Sequence, residues 1–364
     1  MIAWFATKGS QTNEALRVKA LLSDASETKE WLFDKRAKHR SFWRLIDQIH
    51  RERPRLIVME GTGIAGGLAC LAGRWVWRVP YVFSSGDAIA PFVRGHSPWL
   101  GWLFELYERL LCRWCAGFIG WTPYLCGRVI TFGAPRAVSA PGWAWEAPAT
   151  DMTRSREDTR RQWGIPGDHI VIGIVGALDW NEHRQFCYGW DLVQAAHRIK
   201  RADVSFLIVG DGSGLERLRA AAGDLLGNRV FLPGPVPQEE VVNILAAMDV
   251  GSLPQSVDGV GMFRFTTKLS EYAHARLPVI TTQIPMAYDL GIDWMWRIPG
   301  DAPWDDVYLN DLCKVIDAIT WESVTERRES IPSQFDTFER GQQVRRVGQF
   351  IYDILQGTGH SVRD

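Results

Sequence analysis

Short apolar runs recur along the chain, each followed by a polar or glycine-bearing turn and then by apolar positions at helical spacing. In the first half the runs are IAWFA (2–6), LIVME (56–60), YVFSS (81–85), FIGWT (118–122) and AVSAP (137–141). In the second they are IVIGIVG (170–176), VSFLIVG (204–210), RVFLPG (229–234), VGSLPQS (250–256) and PVITT (278–282). Runs this short, bounded by turns, predict buried strands, and the periodic stretches between them predict helices, beginning near Asn13 and ending with one from about Phe335 to Leu355. Strands alternating with helices imply an α/β fold with parallel sheets, whose ligands collect at the carboxyl ends of the strands. A chain of 364 residues exceeds what one core usually serves, so two domains are expected. The strand-free stretch Trp143–Arg161, with Pro148, small residues and a charged helical start, reads as the linker between them, and the tail GTGHSVRD as mobile.

Composition changes this picture little. The net charge of −1 argues against a nucleic-acid partner. A basic segment (Lys35, Arg36, Lys38, Arg40, Arg44, Arg51, Arg53, Arg55) reads as a solvated helix face or an anionic-surface contact. Cys112 and Cys115 lie inside an apolar helical pattern with no second pair, which favours core packing over zinc. The six scattered cysteines point to a reducing cytoplasm, and neither a charged-then-apolar leader at Met1 nor a run able to span a bilayer is read in the sequence. Between Trp99 and Trp114 an aromatic stripe at helical spacing is punctuated by Glu105, Glu108, Arg109 and Arg113. It suits either a core face or a surface turned to lipid or acceptor.

The candidate chemistry centres on Asp258–Thr282. A glycine-bearing loop leads through two threonines into a short helix carrying Lys268 and Glu271, and a β-branched strand follows. Unpaired N–H groups at a helix start attract phosphate, and Lys268 would add a charge-assisted contact. A carboxylate beside a phosphate needs hydroxyl partners, so Glu271 either faces a sugar or ribose or simply suits a first helical turn. Glycine turns at Gly210, Gly212 and Gly214, and a Lys8-Gly9-Ser10 turn after the first strand, lie at the same strand ends. A rival site is Gly61, Gly63 and Gly66, which fit the G-x-G-x-x-G spacing of a dinucleotide binder; close helix-to-strand packing by small residues explains them too.

The second half then resembles the carboxyl-terminal domain of glycosyltransferase family 4, through IGIVGALDW, FLIVGDGSGLERL, NRVFLPGPVPQEEVVNIL, MDVGSLPQS and KLSEYAHARLPVITT in the family's order. The resemblance implies a GT-B fold, two Rossmann-like doubly wound domains facing each other across a cleft. Residues 1–150 would form the acceptor-side domain, with a helix at about 335–356 returning to it, and residues 151–334 the nucleotide-sugar domain. By position, Glu271 would grip the ribose, Asp258 would stand near the donor sugar, and the amides of Gly259, Val260 and Gly261 would reach the diphosphate. Arg184 and Lys268 would form the basic pair on that diphosphate, Gly234 and Val236 would read the base, and Gly9 would close on the phosphates. Asp87 stands where the family often has a histidine and would contact donor sugar or acceptor hydroxyl. Asp258 and Glu271 are separated by twelve residues where the family has seven, and Arg276 stands where the family has a glycine.

The resemblance implies a retaining transfer from a nucleotide diphosphate sugar, most often of UDP, to an acceptor hydroxyl in a glycolipid, polysaccharide or surface glycan. A lipid-linked or membrane-proximal acceptor and a peripheral place at the inner membrane face go with the aromatic and basic segments. No Asp-x-Asp pair occurs, so neither metal nor cofactor is expected to be required. The alternatives are a non-catalytic GT-B scaffold that binds a glycan or partner and an NAD(P)-dependent oxidoreductase using Gly61, Gly63 and Gly66.

Overall fold

The computed structural model describes residues 1–25, 27–95, 97–144, 152–290 and 292–360. The first sheet holds β1 (Ile2–Ala6), β2 (Thr28–Glu30), β3 (Leu56–Glu60), β4 (Tyr81–Ser85), β5 (Gly117–Gly120) and β6 (Ala137–Ser139), in the order β2-β1-β3-β4-β5-β6. The second holds β7 (Ile170–Val175), β8 (Val204–Val209), β9 (Val230–Gly234), β10 (Val250–Leu253), β11 (Val279–Thr282) and β12 (Met295–Ile298), in the order β12-β11-β10-β7-β8-β9. Both sheets are parallel throughout. The chain divides into two compact units. One comprises Met1–Trp143, Phe263–Phe265 and Asp336–Asp364; the other comprises Ala144–Met262 and Thr266–Phe335. Most of the stretch read as a linker, residues 145–151, lies outside the described residues, and a helix Met152–Trp163 occupies the rest. The last helix, Arg340–His360, takes in the start of the expected mobile tail, whose residues 361–364 lie outside the described residues.

The apolar runs are buried on both faces, as parallel strands under helices must be. Ala3 and Phe5 of β1, with Ile57 and Met59 of β3, belong to one core, while Ile2, Trp4 and Ala6, with Leu56 and Val58, belong to another on the opposite face. In the second sheet Ile170, Ile172 and Ile174 join Val204, Phe206 and Ile208 in a single core. Two strands had no apolar run to announce them. β2 is TKE, exposed along its length, and β12 is MWRI, only its end residues buried. Both are edge strands, held by backbone pairing to one neighbour.

Cys112 and Cys115 are buried free thiols of the first core, raised well above the ordinary thiol pKa by burial, Cys115 to about 12. The helix Lys38–Glu52 buries only Ser41, Leu45 and Ile49, so its basic residues cover a solvated face. Arg276, where glycine was expected, adopts φ 52° after the helix Thr267–His274. Its guanidinium donates to the Arg328 carbonyl at 3.0 Å, which offsets a left-handed conformation costing about 1 kcal/mol.

One buried ionic cluster ties the second unit together. Asp249, fully buried ahead of β10, accepts from Arg160 at 2.7 Å, Arg156 at 2.6 Å and the Val171 N–H at 2.8 Å. Burial holds the Arg160 guanidinium below its ordinary pKa against the pull of Asp249. Removing the carboxylate leaves a buried arginine unpaired, so Asp249→Ala is expected to cost about 3–5 kcal/mol of unfolding free energy in chemical denaturation; a loss below about 1 kcal/mol would show the cluster to be idle.

Candidate functional site

In the second sheet the strand order reverses between β7 and β10, and the carboxyl ends of these neighbours form the switch point where α/β sheets bind ligands. Gly176, just beyond β7, has φ 151°, and a Cβ there would fall 2.6 Å from the Lys268 Nζ and Cε. Its missing side chain is what lets Lys268 reach the strand end. The ammonium sits 4.4 Å above the Tyr188 ring, and the Tyr188 hydroxyl accepts from Gln255, beyond β10, at 2.9 Å. Among the described residues Lys268 has no ion pair, so its charge is available to an anion.

The helix Thr267–His274 starts in keeping with this. Thr266, its N-cap, makes no side-chain capping bond, the Thr266 hydroxyl is buried without a partner, and the first turn carries no acid. The free amides and the uncompensated dipole favour an anion at this end. One turn on, Glu271 lines a narrow cleft with Gln238, Val241, Val242, Leu245 and His274. No hydrogen bond engages its carboxylate among the described residues. Burial raises its pKa, against the lowering effect of Lys268. A half-buried carboxylate without donors is suited to ligand hydroxyls. Gln238 brings the turn after β9 to the same cleft. Gly234, the last residue of β9, has φ 88° and open space where a Cβ would stand, and Val236 in the turn is half-buried.

Other expected site residues have different neighbours. The Asp258 carboxylate accepts from the amides of Val260 at 2.9 Å and Gly261 at 2.8 Å and from the Ser256 hydroxyl at 2.9 Å. Those two amides are therefore spent within the turn, which corrects their assignment to a diphosphate; Gly259 is exposed beside them. Gly261 is required by the turn, since a Cβ would fall 1.9 Å from the Ser256 carbonyl oxygen. These bonds and Arg184 hold the Asp258 carboxyl below its ordinary pKa despite partial burial. Arg184 bonds Asp258 at 3.3 Å and lies over Trp304, with neighbours distinct from those of Lys268, so the expected basic pair is not what the structure builds. Gly210 and Gly212 serve packing: a Cβ would fall 1.8 Å from the Gly176 oxygen and 2.5 Å from the Leu178 carbonyl carbon.

In the first unit Gly9 has φ 112° and turns the chain after β1, its N–H bonded to the Ala6 carbonyl at 3.0 Å. Asp87 follows β4, and its carboxylate accepts from the Arg264 Nε at 2.7 Å. Arg264 went unread as a site residue although it lies inside the Asp258–Thr282 stretch, because its partner is distant in sequence. The glycines of the rival motif pack closely on the first sheet. A Cβ would fall 2.3 Å from the Thr7 hydroxyl at Gly61, 2.9 Å from the Thr7 Cβ at Gly63 and 2.8 Å from the Phe5 ring at Gly66. Thr7 and Phe5 thus occupy the space that side chains at these positions would need, and the glycines serve close helix-to-strand packing.

The aromatic stripe is largely turned to solvent. The helix Pro98–Trp114 buries Gly101, Glu108, Leu111 and Cys112, but Trp99 is 67% and Trp102 64% exposed, with Leu103 and Leu106 beside them. Trp114 packs edge-to-face on Trp75, 52% exposed, of the helix Ile64–Trp77. No helix among the described residues is long and apolar enough to cross a membrane.

Two parallel doubly wound sheets in succession are the GT-B fold. Chains of similar structure include Anabaena HepE in complex with UDP-glucose (TM-score 0.68, 14% identity, 97% of this chain and 100% of that one) and a glycosyltransferase from Rickettsia africae (0.65, 10%, 97% and 98%). In sequence, residues 14–140 match the glycosyl transferase 4-like domain and residues 169–300 the glycosyl transferases group 1, and the chain belongs to this glycosyltransferase family. Its relatives include a D-inositol 3-phosphate glycosyltransferase of Corynebacterium urealyticum, 32% identical over 41% of this chain and 35% of that protein. A 2-deoxystreptamine N-acetyl-D-glucosaminyltransferase of Streptomyces fradiae is 30% identical over 29% of this chain and 25% of its own length. The matches thus span about a third or less of these relatives.

The raised pKa of Glu271 carries a consequence for stability. Its carboxyl takes up a proton more readily in the folded chain than in the unfolded one, so its contribution to stability falls as pH rises from the ordinary value of 4.5 through the folded pKa. Glu271→Gln is therefore expected to raise Tm at pH 8, with the gain shrinking toward pH 4.5; no gain at pH 8 would show that burial does not penalise this carboxylate.

Proposed function

We propose that the chain transfers a sugar, with retention, from a nucleotide diphosphate sugar, UDP-linked in the first instance, to an acceptor hydroxyl. The observation that carries this reading is the unpaired Lys268 beside an uncapped helix start, one turn from the unpartnered Glu271. The chemistry needs the departing diphosphate to be stabilised more than it needs a strong nucleophile. The Lys268 ammonium and the first amides of Thr267–His274 supply that, and we assign no metal to the step. Glu271 holds the ribose hydroxyls, and the turn at Gly234 and Val236 offers backbone groups to the base. Asp87, oriented by Arg264, meets the acceptor hydroxyl. UDP in the HepE complexes and the sugar transferases among the relatives support this choice of donor.

We further infer a lipid-linked or membrane-proximal acceptor at a membrane face, from the exposed tryptophans. Indoles flanked by arginines suit a lipid interface. Glu105 pairs with Arg94 and Arg109, whereas Arg78 and Arg113 have no ion pair among the described residues, which leaves the surface cationic.

Lys268→Ala and Glu271→Ala are each expected to weaken UDP binding at least about tenfold in calorimetry, or about 1.4 kcal/mol, while Asp87→Asn keeps nucleotide affinity and loses transfer. Unchanged binding in both of the first two folded variants would refute the donor site. For the surface, co-flotation with anionic vesicles is expected for the native chain and to fall at least about fivefold in Trp99→Ala/Trp102→Ala; equal flotation of the two would remove the lipid reading.

A further inference from the structure

A second pocket lies in the second unit. It is an open depression of about 660 Å³ lined chiefly by Trp180, Arg184, Gln185, Trp190, Arg217 and Trp304, none of them shared with the Lys268 and Glu271 cluster. The loop after β7 contributes Trp180, Arg184 and Gln185 as part of a small closed hairpin. Asn181 and Phe186 form an antiparallel bridge, and the Asn181 side chain accepts the amides of His183 at 3.0 Å and Arg184 at 2.9 Å. Gln185, at the tip, is held at φ 49°, a strained conformation for a residue with a side chain. The indoles are fixed as firmly: Trp180 meets Trp190 edge-on at 4.9 Å, Trp304 meets Phe186 at 5.5 Å, and Arg217 lies 4.7 Å over Trp180.

We propose that this pocket binds a neutral saccharide, separately from the nucleotide. Three half-buried indoles present rigid apolar surface at low entropic cost, suited to the C–H faces of a pyranose ring. The two guanidinium forks, the Gln185 amide oxygen, whose Nε2 already donates to the Glu182 carbonyl at 2.6 Å, and the indole N–H groups of Trp190 and Trp304 supply hydroxyl partners at the rim, and neither indole N–H has a hydrogen bond among the described residues. Charge decides against an anion. Arg184 is matched by Asp258 at 3.3 Å and Arg217 by Glu182 at 2.7 Å, so the pocket carries two cations and two anions. A nucleotide or acidic glycan would meet no surplus positive charge here, in contrast to Lys268.

Tryptophan fluorescence and saturation-transfer NMR on the full chain, titrated with maltopentaose, cellopentaose and chitopentaose, test this. At least one is expected to bind saturably, with affinity lowered about fivefold or more in Trp304→Ala and in Arg217→Ala. Arg217 is exposed, so its variant keeps the test valid if loss of Trp304 impairs folding. Saturating UDP is expected to leave saccharide affinity within about twofold, and both variants are expected to bind UDP normally. Failure here is thereby distinguishable from failure of the donor site. No saturable binding of any of the three, equal affinity in both folded variants, or displacement of the saccharide by UDP would overturn the proposal.

Discussion

The constraint on which the structure depends is the parallel course of β7 and β10. Parallel neighbours bring their carboxyl ends to one edge, and at that edge the helix Thr267–His274 begins. Gly176, with φ 151°, leaves at the end of β7 the space in which the Lys268 ammonium lies. Fold and charge placement are in this sense one problem. Asp249, buried at the opposite end of β10, locks the helix Met152–Trp163 to the start of that strand.

Much of this was legible in the sequence, for identifiable reasons. The apolar runs of β1, β3, β7 and β8 are long enough to mark strands without context, and the glycine-bearing loop leading through two threonines to a helix start with Lys268 announced an anion site. Exposed TKE and half-buried MWRI carry no such pattern, because edge strands are selected by pairing rather than burial. The Gly61–Gly66 spacing misled for a related reason: glycines that admit a phosphate and glycines that admit Thr7 and Phe5 look alike until the neighbour is known.

The same limit governs charged side chains. Arg184 and Lys268 read alike in sequence, yet Arg184 is matched by Asp258 and Lys268 by no carboxylate among the described residues. Asp258 in turn looked like a sugar contact and serves its own turn, capping Val260 and Gly261. The aromatic stripe between Trp99 and Trp114 shows periodicity failing in the other direction, since helical spacing of large apolar residues usually marks a core and here marks an exposed face. What distinguishes these cases is the third dimension: which partner satisfies each polar group and which face each helix leaves uncovered.

The central claim is that nucleotide binds where a free cation, an uncapped helix and an unpartnered carboxylate converge. A crystal structure of the chain with UDP tests it most directly. The ribose hydroxyls are expected within hydrogen-bond distance of Glu271 and the diphosphate against Lys268 and the amides that open its helix. A nucleotide seated on Gly61–Gly66, or among Trp180, Trp190 and Trp304, would contradict it.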